Sequence, residues 1–129
     1  MKLALVLVGA AALAAAAPAL AAPKAAAKAC FRTADIGNHT VGDNHTLYLN
    51  VGSKDVYRVT MRNTCLGGVQ STDAIELNTL GASGIICEAA DLDVRTTLAG
   101  GGGLPARCLV DELTKLTPGE AAARRKAKP

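Results

Sequence analysis

The residues best equipped for chemistry lie in a polar stretch at 35–45, where His39 and His45 stand six residues apart with Asp35 and Asp43 beside them. A near-repeat, Asn38-His39-Thr40 and Asn44-His45-Thr46, gives both histidines the same local setting. Neutral imidazole nitrogen together with carboxylate oxygen is a donor set for a divalent metal. The spacing meets no defined ligand motif. The expectation is therefore a solvated loop leading into the next element, with His39 and His45 as the candidate metal ligands and no cofactor assigned. Both triplets also fit the N-glycosylation acceptor, which has meaning only in a eukaryotic secretory route.

Other groups are weaker candidates. Asp91-Leu92-Asp93 pairs two carboxylates, as calcium binding or acid–base work requires, but strand alternation puts both on one face, read as a solvated edge. No general base can be matched to Ser53, Ser71 or Ser83, so no catalytic residue is nominated. The run Gly100, Gly101, Gly102 and Gly103 lacks the Lys-Ser or Lys-Thr of a phosphate loop and reads as a plain loop. The basic tail, with Arg124, Arg125, Lys126 and Lys128, can meet anionic headgroups or other polyanions, although a solvated chain end is the simpler reading.

Cys30, Cys65, Cys87 and Cys108 are even in number and widely spaced, as in a two-disulfide framework. A thiolate metal site or a redox dithiol wants C-x-x-C pairs, and none is present. Three connectivities are possible. The nested one, Cys30 with Cys108 and Cys65 with Cys87, is preferred because its outer bond would tie the two ends of the domain.

The elements that must position these residues are mostly strands. Residues 46–51 alternate, with Leu47, Leu49 and Val51 on one side and Thr46, Tyr48 and Asn50 on the other. Residues 56–62 alternate again after Gly52-Ser53-Lys54-Asp55, so the pair predicts a β-hairpin. Further short strands are predicted over 74–77, 84–88 and 92–98, and over 107–116 with a bend near Asp111. Five to six short strands at this spacing predict an all-β, mainly antiparallel small barrel or sandwich. Thr117-Pro118-Gly119-Glu120 is a capping-box sequence, predicting a short helix over 118–126. Almost no large apolar residue is there to dock it, so a mobile helix is expected.

Upstream, Met1-Lys2 and an uncharged apolar run over 3–17 fit a secretory signal, with cleavage after Ala21. The domains expected are thus a signal peptide at 1–21, a disordered spacer at 22–29, a disulfide-stabilised β-domain at 30–117 and a partly helical or disordered tail at 118–129. Of the 129 residues only Phe31, Tyr48 and Tyr57 are aromatic, a thin core that small secreted domains reinforce with covalent bonds. The formal charge of +3 is carried by the termini; between Cys30 and Glu120 seven basic residues face eleven acidic ones. That balance gives no support for nucleic-acid binding.

The Cys30-Phe31 opening, Thr46-Leu47, Val56-Tyr57, Cys65, Ile86-Cys87 and Arg107-Cys108 followed by Val110 and Leu113 carry a likeness over roughly 30–117. The chain resembles a proteobacterial family of small exported four-cysteine proteins catalogued as a domain of unknown function. The resemblance implies a periplasmic or secreted protein with paired cysteines and implies no activity. The functional expectation is a non-catalytic structural or protein-binding module, monomeric, with a protein partner in the cell envelope, no nucleic acid and no stable membrane anchor. One alternative is a metal-binding or enzymatic protein using the His39/His45 loop. Another is an inhibitor of an envelope hydrolase presenting the loop at 100–104.

Overall fold

The computed structural model describes residues 29–97 and 105–127. The signal-peptide reading at 1–21, most of the spacer and the glycine loop at 100–104 fall outside the described residues.

The hairpin comes first because its alternation is cleanest. Strands β1 (Phe31–Arg32), β2 (Ile36–Val41), β3 (Thr46–Val51) and β4 (Asp55–Met61) follow one another, with β3 and β4 paired antiparallel so that Leu47 faces Val59 and Leu49 faces Tyr57. Gly52 turns the chain between them at φ 59°, a left-handed conformation that glycine adopts without a Cβ penalty. Next come β5 (Ile75–Thr79), β6 (Ile85–Ile86), β7 (Leu92–Thr96), β8 (Ala106–Cys108), β9 (Val110–Lys115) and the helix α1 (Pro118–Lys126).

These strands form a four-stranded sheet ordered β2-β3-β4-β9, a three-stranded sheet ordered β5-β7-β8, and the small pair β1-β6. All pairings are antiparallel. The fold is thus all-β as expected, with nine described strands rather than five or six and no closed barrel. The core brings Leu47, Leu49 and Val59 of the larger sheet together with Leu66, Ile86, Leu92 and Val94. Each such side chain contributes about 1.5–3 kcal/mol on full burial. The Phe31 and Tyr57 rings meet there, centroids 4.4 Å apart.

The bend expected near Asp111 is a β-bulge: Thr60 pairs with Glu112 and Met61 with Val110, which leaves Asp111 as the extra residue. The chain passes between the sheets at Leu109, so one expected strand becomes β8 and β9. The segment expected as a solvated loop at 35–45 is instead largely the edge strand β2. Its polar groups are met by neighbouring segments, with the Val41 backbone N–H donating to Ser71 Oγ at 2.9 Å and the side chains of Asn50 and Asn38 hydrogen-bonding across the pair.

The disulfides are Cys30–Cys87 and Cys65–Cys108, which corrects the nested pairing. The reason lies in β1 and β6. Their register sets Phe31 opposite Ile86, and one step outward the same register sets Cys30 opposite Cys87. Cys65 lies over the three-stranded sheet, its carbonyl accepting from Thr96 Oγ1 at 3.2 Å, within bonding reach of Cys108 on β8. The two covalent loops therefore overlap rather than nest.

The helix α1 has the predicted bounds and box: Thr117 Oγ1 accepts the Glu120 N–H, and the Glu120 carboxylate accepts the Thr117 N–H at 2.8 Å. Contrary to the expectation of a mobile helix, it is docked. Ala121 is buried against Val56 and Leu116, and Arg125 donates to the Lys54 carbonyl at 2.6 Å. The two bonds from Thr117 hold the Glu120 carboxyl below its ordinary value. With a lowered folded pKa, the box is complete above the ordinary carboxylate range and is lost as pH falls through that lowered value. Thr117→Ala is expected to cost about 1 kcal/mol, read as a lower thermal midpoint whose acid dependence is also weaker.

Candidate functional site

Alternation places Tyr48 and Asn50 on the outer face of the larger sheet, away from the core, and α1 crosses that face beside them. The result is a groove of about 460 Å³ lined by Asn38, Thr40, Tyr48 and Asn50 from the strands, Lys54 from the β3–β4 turn, and Arg124 and Arg125 from α1. The Arg124 guanidinium carbon stands 3.4 Å from the centre of the Tyr48 ring, a stacked cation–π contact. The ring also lies against Gly42, where a Cβ would come within 2.7 Å of Tyr48 Cε2. Glycine at 42 therefore lets the ring lie where Arg124 can cover it.

Charge in the groove is unbalanced. Among the described residues, Lys54, Arg124 and Arg125 form no ion pair with a carboxylate. Asp55 also lines the groove, but its carboxylate is held by Lys115 Nζ at 2.9 Å, and that bond raises the Lys115 pKa. Arg124 is half-buried, and among the described residues its in-plane N–H donors have no hydrogen-bond partner. A second cavity of about 700 Å³ beside Pro118 and Ala121 shares Lys54, Asp55 and Arg125 with the groove.

The histidines and the carboxylates singled out with them in the sequence lie elsewhere. His39 sits mid-strand on β2 opposite Leu49, its Nε2 3.0 Å from the Asp73 carbonyl oxygen. His45 is exposed in the β2–β3 turn, its N–H donating to Asp43 Oδ1 at 2.8 Å, a bond that holds the Asp43 carboxyl below its ordinary value. The fold thus gives the two histidines separate partners, and no group of three or more His, Cys, Asp or Glu able to hold a metal occurs among the described residues.

Asp91 and Asp93 do not form a solvated edge. The Asp91 carboxylate accepts the N–H groups of Cys87 and Glu88 at 2.9 and 3.1 Å. Asp93 is only 4% exposed and accepts from Arg95 Nε at 3.0 Å and Arg107 Nε at 2.8 Å. The register sets Arg95 directly opposite Arg107, a repulsive pair that the shared carboxylate neutralises. The stems of those arginines cover the outer face of β7, which is why alternation alone misplaces Asp93 in water.

A family model described as Family of unknown function (DUF6491) matches residues 1–129. The chain belongs to that family. No curated protein and no solved structure matches this DUF6491 chain. Among its described residues no helix is long and apolar enough to cross a membrane. The groove of the DUF6491 fold was missed in the sequence except for its basic tail. Asn38 and Asn50 become neighbours only through the β2–β3 register, and Tyr48 is legible as outward-facing but not as a platform for a helix that begins only at Pro118.

Proposed function

We propose that this chain is an exported, non-catalytic binding module of a bacterial cell envelope, periplasmic or secreted, whose partner is a protein. The observation that carries the reading is the oxidation of all four cysteines in two overlapping bonds. Stable disulfides belong to oxidising compartments, and an apolar leader ahead of the first cysteine supplies the route. The groups best suited to chemistry serve the fold: His39 meets a backbone carbonyl, Asp91 fastens a turn, and Asp93 neutralises two arginines. The groove beside α1, whose cations lack carboxylate partners among the described residues, offers the face on which a partner can bind.

The test is mass spectrometry of the full-length chain expressed in a Gram-negative host, with thiols alkylated at lysis. The expected product is found outside the cytoplasm, cut after Ala21, with no alkylated cysteine. An uncut cytoplasmic chain carrying four alkylated thiols would overturn the reading.

A further inference from the structure

We propose that the groove between α1 and the outer face of the β2–β3 pair binds an acidic peptide segment, with the Arg124 guanidinium taking a carboxylate and the Asn38–Asn50 pair taking a backbone peptide group. The proposal deepens the binding-module reading and rests on it. Three observations converge.

The first is the state of Arg124. Stacking on Tyr48 occupies a face of the guanidinium and leaves its edge, where all the N–H donors lie, unused among the described residues. A planar fork held flat on a ring is pre-ordered for two parallel bonds to a carboxylate, and less side-chain freedom is lost on binding. The stack is itself built: it needs glycine at 42 beside the ring and a capped helix to carry the arginine.

The second is the Asn38–Asn50 pair. The two amides bond to each other across paired positions of β2 and β3. Whichever amide donates, the pair leaves one NH₂ donor and one carbonyl acceptor. A donor beside an acceptor is the complement of a peptide group, which offers one C=O and one N–H.

The third is size and charge. A volume of about 460 Å³ lies within the range of about 300–1,000 Å³ usual for ligand sites. Lys54 and Arg125 add positive charge at the same end as Arg124, whereas the domain between Cys30 and Glu120 carries an acidic excess. The groove is thus a local cationic exception. A lipid surface would use the charges but offers no paired C=O and N–H to match the amide donor and acceptor, which is why a peptide is favoured.

The experiment titrates the mature, disulfide-bonded domain with hexaglutamate peptide, following amide and side-chain NH₂ resonances by NMR. Saturable shifts at Asn38, Asn50 and Arg124 are expected. Arg124→Lys keeps the charge but loses the fork and is expected to weaken binding by about tenfold or more. Asn38→Ala, which leaves α1 untouched, is expected to weaken binding with an unchanged dependence on salt. Thermal midpoints establish that each variant is folded, and Asn38→Ala carries the test if the helix variant is not.

Equal affinity of the parent chain and both variants would overturn the proposal. So would shifts confined to residues outside the groove. Arg124-dependent binding to phosphatidylglycerol vesicles without saturable hexaglutamate binding would assign the groove to a membrane surface instead, and an Arg124-dependent dimer in sedimentation would assign it to a second copy. An exported, oxidised chain that ignores hexaglutamate sinks this proposal alone, whereas a reduced cytoplasmic chain sinks the binding-module reading beneath it.

Discussion

Reducing both disulfides is expected to abolish cooperative unfolding and leave the domain largely unfolded at 25 °C. The bonds span 57 and 43 residues. On the chain-entropy account each such loop contributes about 4 kcal/mol by restricting the unfolded chain. Because the loops share residues 65–87, the second bond restricts an ensemble already shortened by the first, and the two contributions do not simply add. Even one is large against a typical total of about 5–15 kcal/mol. The core offers little to offset the loss, since among the described residues its one aromatic pair is Phe31 on Tyr57 and its other members are Leu, Val, Ile, Met61 and Cys108.

The two bonds are expected to differ in what their loss does. Cys108 is buried in the core opposite Val94, so replacing Cys65 and Cys108 by alanine also opens space there. Removing Cys30 and Cys87 leaves β1 held by its two-residue pairing with β6 and by the Phe31 ring in the core. Each double variant is expected to lower the thermal midpoint by about 10 °C or more. A reduced sample that keeps its midpoint and its full circular dichroism would defeat the argument.

Asp93→Ala is the second large effect. The substitution removes a buried carboxylate and leaves Arg95 and Arg107 facing one another across β7 and β8 with nothing between them. Breaking a buried pair from one side costs about 3–5 kcal/mol. Here the arginines are about half exposed and regain water, so the expected loss is smaller, about 2–3 kcal/mol. Asp93→Asn keeps the shape and one acceptor and should fall between the variant and the parent. The comparison is Asp111→Ala, which breaks an ion pair with Arg62 whose members are 51% and 73% exposed. That loss should stay below about 1 kcal/mol. Equal denaturation free energies for Asp93→Ala and Asp111→Ala would show that the carboxylate on β7 does not balance the two arginines.

The parts of the fold visible in the sequence are those written in local pattern. Alternation gave β3 to the residue and the hairpin around Gly52, and Thr117 with Glu120 gave α1 its start. The parts that were not visible depend on partners distant in sequence. Strand β2 carries Asn38 and His39 where a half-buried strand would carry apolar residues, because Asn50 across the pair and the Asp73 carbonyl meet them, while Ser71 accepts the Val41 N–H. Strands β1 and β6 are two residues each, too short for any period, yet their register decides the disulfide pairing. Alternation named the face on which Asp93 lies but not the arginines that cover it. Likewise the poor apolar content of α1 is plain in its residues, but it does not disclose that Tyr48 holds the helix through an arginine.

The overlapping bonds also govern how the chain responds to proteases. A single cut between 30 and 64 leaves the pieces joined through Cys30–Cys87, and one between 87 and 107 leaves them joined through Cys65–Cys108. A cut between 65 and 86 leaves both bonds spanning the break. No lone nick inside this interval can release a fragment, so a clipped molecule keeps its mass on a non-reducing gel and its strands within reach of one another.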